Sequence, residues 1–259
     1  MGRIALLMCG QMRTFDNPRV QASFRAFVAA LGAHEVDMFV STWSDRGISY
    51  NHGHPEASRA MAPNATVTEE MIRAVYAGLN IVSVQIRDYA EWQTRLRPSY
   101  AAVLREGFQW NGMRIAGTVV PQLFTIWDAN MLRRAGGKSY DWVFRVRPDL
   151  VFEPLDDLLA PLDPKHVHAI NAPTAGVFWP QRIYDIFFFG GPAAMDVACD
   201  SYNHIDVAIQ HPFMNGLHPR DACRILYVCT ALMGRVPVRD IDRVVCKIHR
   251  GGEGDNVKK

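Results

Sequence analysis

No CxxC pair occurs in this sequence, and the cysteines it has, Cys9, Cys199, Cys223, Cys229 and Cys246, are odd in number. Such a set does not build a disulfide framework, and several of the five sit inside apolar runs. Buried free thiols in a reducing compartment are the expectation. No apolar run approaches the roughly 20 residues that span a bilayer. The run Ile4–Cys9 is too short for a signal-peptide core and lacks a cleavage site, so a cytoplasmic protein with no integral membrane segment is expected. Net charge is scarce too. The 28 basic and 26 acidic side chains leave +2, which gives no general attraction for nucleic acid or an anionic membrane, so any basic site must be local. Four motifs are missing: a Walker A sequence, GxGxxG, GxSxG and HExxH. Their absence argues against a P-loop kinase, a typical dinucleotide oxidoreductase, a serine hydrolase of the GxSxG class and a zincin.

What is present suits an α/β protein. With 259 residues and 49% apolar content, the chain can bury a sizeable core without disulfides. Arg3–Cys9 is a continuous apolar run, as a central strand buried on both faces requires. Gly10-Gln11-Met12-Arg13-Thr14 follows directly. It reads either as a loop where the backbone meets a ligand and Arg13 meets a phosphate, or as a tight strand-to-helix turn. Asn17 and Pro18 predict a helix start, and Val20, Phe24, Phe27, Val28 and Leu31 share one helical face up to Gly32. Glu35–Ser41 reads as a second strand, which makes a right-handed parallel unit. Residues 46–64 read as a polar loop in which His52 and His54 are solvated. A helix near 68–78 and a strand Ile81–Ile86 continue the repeat. The aromatics Tyr89, Trp92, Tyr100, Phe108 and Trp110 suit either a sugar site or core packing. A helix over Val119–Arg134, short strands at Val167–Ile170 and Ile183–Phe189, helices opening at Pro192 and Pro219, and a last strand over Val236–Ile248 complete the expectation. It amounts to one domain over residues 1–250 and a polar tail over 251–259.

The stretch Tyr140–Pro154, YDWVFRVRPDLVFEP, organises the rest. Trp142, Phe144, Val146, Leu150 and Phe152 alternate with Asp141, Arg145, Arg147, Asp149 and Glu153, so a strand with one face in a core is expected. Pro148 ends the regular strand near Arg147 and puts Asp149 just past its carboxyl end, where open α/β sheets place ligands. Two cations and a carboxylate there suit an anionic ligand and a divalent metal. They equally suit a half-exposed strand whose arginines pair with Asp141, Asp149 and Glu153.

Four blocks carry a family resemblance: Gly10-Gln11-Met12-Arg13-Thr14-Phe15, the DMFVSTW segment that ends at Trp43, YDWVFRVRPDLVF, and Asp185 with Phe187 to Gly190. Together they resemble a group of small bacterial and viral glycosyltransferase-like proteins with the GT-A nucleotide-sugar fold. The resemblance implies a Rossmann-like α/β domain with a mixed, mainly parallel sheet flanked by helices. It implies a nucleotide-sugar donor and a glycan or other hydroxyl acceptor, with Gly10, Gln11, Arg13, Thr42, Arg145 and Arg147 at the donor. In GT-A enzymes a D-x-D motif holds Mn2+ or Mg2+ against the donor diphosphate. Here Arg147-Pro148-Asp149 stands in that place, so Asp149 is the implied metal ligand, with His249 as a late partner.

Negative charge builds on the departing nucleoside diphosphate, so fixed cations at that position lower the barrier. Either a metal at Asp149 or the guanidinium groups of Arg13, Arg145 and Arg147 can supply them. An inverting enzyme also needs a carboxylate base, for which Asp185 is the candidate; a retaining enzyme needs none. Two other readings stand beside this one. A sugar nucleotidyltransferase has a related fold, but its glycine-rich basic N-terminal signature is lacking. A non-catalytic nucleotide-sugar or glycan-binding module is the alternative from another class.

Overall fold

The computed structural model describes residues 2–49, 59–60, 66–106, 108–110, 113–115, 119–154, 158–159, 162–170, 181–214, 222–241 and 246–249. His52, His54, Pro219 and the tail over 251–259 lie outside them. In chain order the elements are β1 (Arg3–Cys9), α1 (Pro18–Ala30), β2 (Glu35–Trp43), the short pair β3 (Ile48–Ser49) and β4 (Arg59–Ala60), α2 (Glu69–Val75) and β5 (Asn80–Arg87). Then come α3 (Tyr89–Thr94), α4 (Pro98–Glu106), the hairpin β6 (Phe108–Trp110) and β7 (Met113–Ile115), and α5 (Val119–Ala135). β8 (Trp142–Val146), β9 (Leu150–Phe152), β10 (Val167–Ile170), β11 (Phe187–Gly190), α6 (Pro192–Cys199), α7 (Ile205–Gln210), α8 (Ala222–Tyr227), β12 (Val238–Ile241) and β13 (Cys246–Ile248) follow.

The main sheet has the order β12-β10-β11-β8-β1-β2-β5. All its strands run one way except β11, which is antiparallel to both neighbours. The fold is therefore mixed α/β with a mainly parallel sheet flanked by helices, as expected. β1 shows why its sequence is apolar throughout. Ala5, Leu7 and Cys9 join one core with Leu123 and Ile126 of α5, and Ile4, Leu6 and Met8 join the other with Phe24 and Phe27 of α1. A strand covered on both faces has no solvent side to make polar.

Local signals set the helix boundaries. Asn17 caps α1 by accepting from the Arg19 N–H, Pro18 fills the first turn, and Gly32 takes a φ of +72° after the end. Thr68 caps α2 in the same way, accepting from Met71 N–H. Trp92 and Tyr100 are buried in the α5-side core, so core packing is the fate of these two aromatics. All five cysteines are free thiols: Cys9, Cys199, Cys223 and Cys229 are buried and Cys246 is half-buried.

Three expectations need correction. β8 is not half-exposed. It lies between β1 and β11 with every residue buried, including Arg145. The alternation was real, but both faces are covered, and a charged residue occupies the second. The run Ile183–Phe189 is a strand only from Phe187, where Val146 becomes available as its partner. Asp185 sits in the turn that leads into it. Val236–Ile248 is two strands. β12 ends the main sheet, while β13 leaves it to pair antiparallel with β9, Ile248 opposite Leu150.

His168 on β10 stacks on Phe189 at 5.3 Å between ring centroids, and its Nε2 meets the Asp163 carbonyl at 2.9 Å. Burial pushes its pKa below the ordinary 6.5, outweighing that hydrogen bond, and His166 and Arg239 add to the lowering. The unfolded chain then takes up a proton below about pH 6.5 that the fold refuses, so His168 makes stability fall as pH drops. We expect the melting temperature of the wild type to fall relative to that of His168→Gln between about pH 7.5 and about pH 5, since of the two side chains only the imidazole titrates there.

Candidate functional site

Parallel strands β1, β2 and β8 end at one edge of the sheet, and the segments that follow them meet there. Antiparallel β11 begins at that edge, because Phe187 pairs with Val146, the last residue of β8. The turn carrying Asp185 therefore lies beside the segment carrying Arg147 and Asp149.

At the end of β1, Gly10 has a φ of +120°, a conformation that favours glycine. A Cβ there would meet nothing closer than Pro148 at 4.0 Å, so the loop turns its bare side to open space. Its N–H donates to the Ser41 carbonyl at 3.2 Å and its carbonyl accepts from the Thr42 hydroxyl at 2.8 Å. Thr42 thus fixes the loop rather than facing outward. Gln11 Oε1 accepts from Arg13 Nη2 at 2.9 Å and Nε at 3.2 Å, which aims the guanidinium. Gly47, with a φ of +77°, gives Gln11 its room. A Cβ at Gly47 would lie 2.1 Å from the Gln11 side chain.

Asp149 is the centre of the edge. It has no exposed surface, and both its oxygens accept from Arg147, Nε to Oδ1 and Nη2 to Oδ2, each at 2.8 Å. Arg13 Nη1 reaches Oδ2 at 3.5 Å. Burial alone would raise the carboxyl pKa. The Arg147 charge and hydrogen bonds, then Arg13, outweigh it and hold Asp149 below the usual carboxylate range. Burial likewise works against the Arg147 charge, but Asp149 and then Asp185 outweigh it and push the guanidinium pKa up. Arg147 Nη1, on the edge turned from Asp149, makes no hydrogen bond among the described residues, and the side chain is 14% exposed.

The chain's far end is stitched to the same place. His249 N–H donates to the Asp149 carbonyl at 2.7 Å, and the His249 carbonyl accepts from Thr14 at 3.0 Å. Asp185 accepts from the Cys223 thiol at 3.2 Å. Arg145 differs from the rest. It is fully buried beneath the edge, its Nη2 reaches the Cys9 carbonyl at 3.5 Å, and its Nε and Nη1 have no hydrogen-bond partner among the described residues. It offers no atom to the surface and contributes positive potential from below.

Two contacts were not foreseen. Thr14 ties the first loop to His249. Arg46 forms an ion pair with Asp16 and lies over the Phe15 ring at 5.1 Å, bracing that loop from the β2 side. Thr14 lies inside the Gly10–Phe15 block, but hydroxyl-to-carbonyl bonds across 235 residues leave no trace in a sequence.

A Mg2+ or Mn2+ ion that bridges a diphosphate takes one or two protein carboxylates, with phosphate oxygens and water as its other ligands. Asp149 has both oxygens on Arg147, Arg13 approaches one of them, and no part of the carboxylate is exposed, so an ion could reach it only by displacing the guanidinium groups. The residues as arranged do not fit the ion.

No protein-family model matches the sequence, and no curated protein does. Among the solved structures that match is that of mouse xyloside xylosyltransferase 1 in its apo form, at 11% identity and a TM-score of 0.40, covering 93% of this chain and 84% of that one. No helix among the described residues is long and apolar enough to cross a membrane.

Proposed function

We propose that this protein is a glycosyltransferase that moves a sugar from a nucleotide-activated donor to a hydroxyl acceptor, with the donor diphosphate held at the edge where β1, β2 and β8 end. One observation carries the reading. The four blocks that resemble the glycosyltransferase-like group, far apart in the chain, contribute the neighbouring strands β2, β1, β8 and β11 and the segments that meet at one edge. Crevices outside the carboxyl ends of parallel strands are where α/β sheets bind ligands.

The charge there suits a diphosphate. Arg13, Arg145 and Arg147 stand against Asp149 and Asp185, an excess of cation in a partly dry setting. Fixed positive groups in such a place stabilise the oxygen from which the sugar departs. In this reading Gly10 lets the donor approach the backbone, Gln11 aims Arg13, and Thr42 holds the loop shape. Asp185 takes the acceptor proton if the reaction inverts. The same domain would comprise residues 1–250.

A thermal-shift panel of UDP-, GDP- and dTDP-sugars tests the ligand class. One of them, at 100 times its dissociation constant, should add roughly 2.7 kcal/mol of stability. A shift with a free glycan and with none of these donors would favour a glycan-binding module instead.

A further inference from the structure

We infer that the cation facing the donor diphosphate is a guanidinium of this chain, with Arg147 occupying the place of a divalent metal, so that anion binding at this edge needs no metal. The inference rests on the donor site proposed above. Its ground is the state of Asp149. A carboxylate that a metal is to use must present at least one oxygen. Here both face the Nε and Nη2 of Arg147 in a fork, the geometry in which guanidinium and carboxylate match most closely, and Arg13 approaches one of them as well. No part of Asp149 reaches solvent. An ion entering there would have to displace the fork and then sit beside two guanidinium charges that had lost their counter-ion.

The same pairing leaves Arg147 prepared for an anion. Asp149 holds the Nε–Nη2 side and so fixes the plane of the group. Nη1 keeps its hydrogens and lacks a partner among the described residues, and the side chain is partly exposed. A guanidinium clamped on one edge loses little freedom when the other edge meets a phosphate oxygen. Asp149 is then a positioning residue, and the shared ligand chemistry is a diphosphate, whether free or carried by a nucleoside.

Calorimetry on the metal-stripped full chain tests this, with inorganic pyrophosphate and with UDP, GDP and dTDP as probes, in EDTA and again with Mn2+. Uptake of Mn2+ by the protein alone is followed by electron paramagnetic resonance. We expect at least one probe to bind in EDTA, no Mn2+ uptake by the wild type, and binding at least ~10-fold weaker in Arg147→Ala. Arg147→Asp, which sets two carboxylates around Pro148, should lose binding in EDTA. Probes that bind the wild type only when Mn2+ is present would overturn the inference and leave the donor site standing. If no probe binds under either condition, the donor site itself is wrong. Should neither variant fold, the chelator arm on the wild type decides alone.

Discussion

Asp149→Asn is expected to lower stability by about 3 kcal/mol, the low end of what breaking a buried ion pair costs. The amide keeps the size of the carboxylate but leaves Arg147, and Arg13 behind it, without the carboxylate that pairs with both in a site that water barely reaches. In a chain of this length that is a drop of about 6–12 °C in melting temperature. The penalty also has a pH signature. The carboxyl has its ordinary value, 3.8, in the unfolded chain and a lower one in the fold. The stabilisation is therefore complete above about pH 4 and fades as pH falls through the folded value. Melting curves of both proteins check this. A loss under about 1 kcal/mol, as an exposed pair would give, contradicts the burial of the pair.

The second large effect belongs to Arg147→Lys. Lysine keeps a positive charge near Asp149 but cannot hold the carboxylate with one edge and a phosphate with the other. We expect the melting temperature to fall by less than in Asp149→Asn, because the charge stays, and turnover of the donor to fall by about 10²–10³-fold, the usual cost of losing one fixed donor to a developing negative charge. Measuring turnover and melting on the same sample separates the two. Near-normal turnover with a normal fold would remove Arg147 from the donor site.

Much of this was legible in the sequence where local rules suffice. The apolar run of β1, the Asn17 cap with Pro18, and the break at Pro148 each depend on neighbours a few residues away. The chain obeys them. The position of Asp149 just beyond β8 followed from that break. Its bidentate pairing with Arg147 was one of two readings that the alternation allowed, and nothing local chose between them. The errors share a cause. Arg145 looked like the solvent side of a half-exposed strand because charge normally marks exposure. Only the long-range pairing of β8 between β1 and β11 shows that it is buried. Asp185 seemed to lie inside a strand because Ile183–Phe189 is apolar, yet pairing begins only where β8 offers an edge. The split between β12 and β13 likewise turns on β9, about 90 residues earlier. His249 was singled out for its side chain, whereas the structure places its backbone against Asp149.

The most direct test of the donor site is the release of free sugar. Transferases leak their donor to water slowly, and a binding module does not. UDP-, GDP- and dTDP-sugars are incubated with the wild type and with Arg147→Lys, and free sugar is measured over time. The account predicts that the wild type releases sugar from one of these donors and that Arg147→Lys, folded to the same extent, does so at least ~10-fold more slowly. Equal release by both proteins, or none by a wild type that also shows no melting shift with any donor, would contradict it.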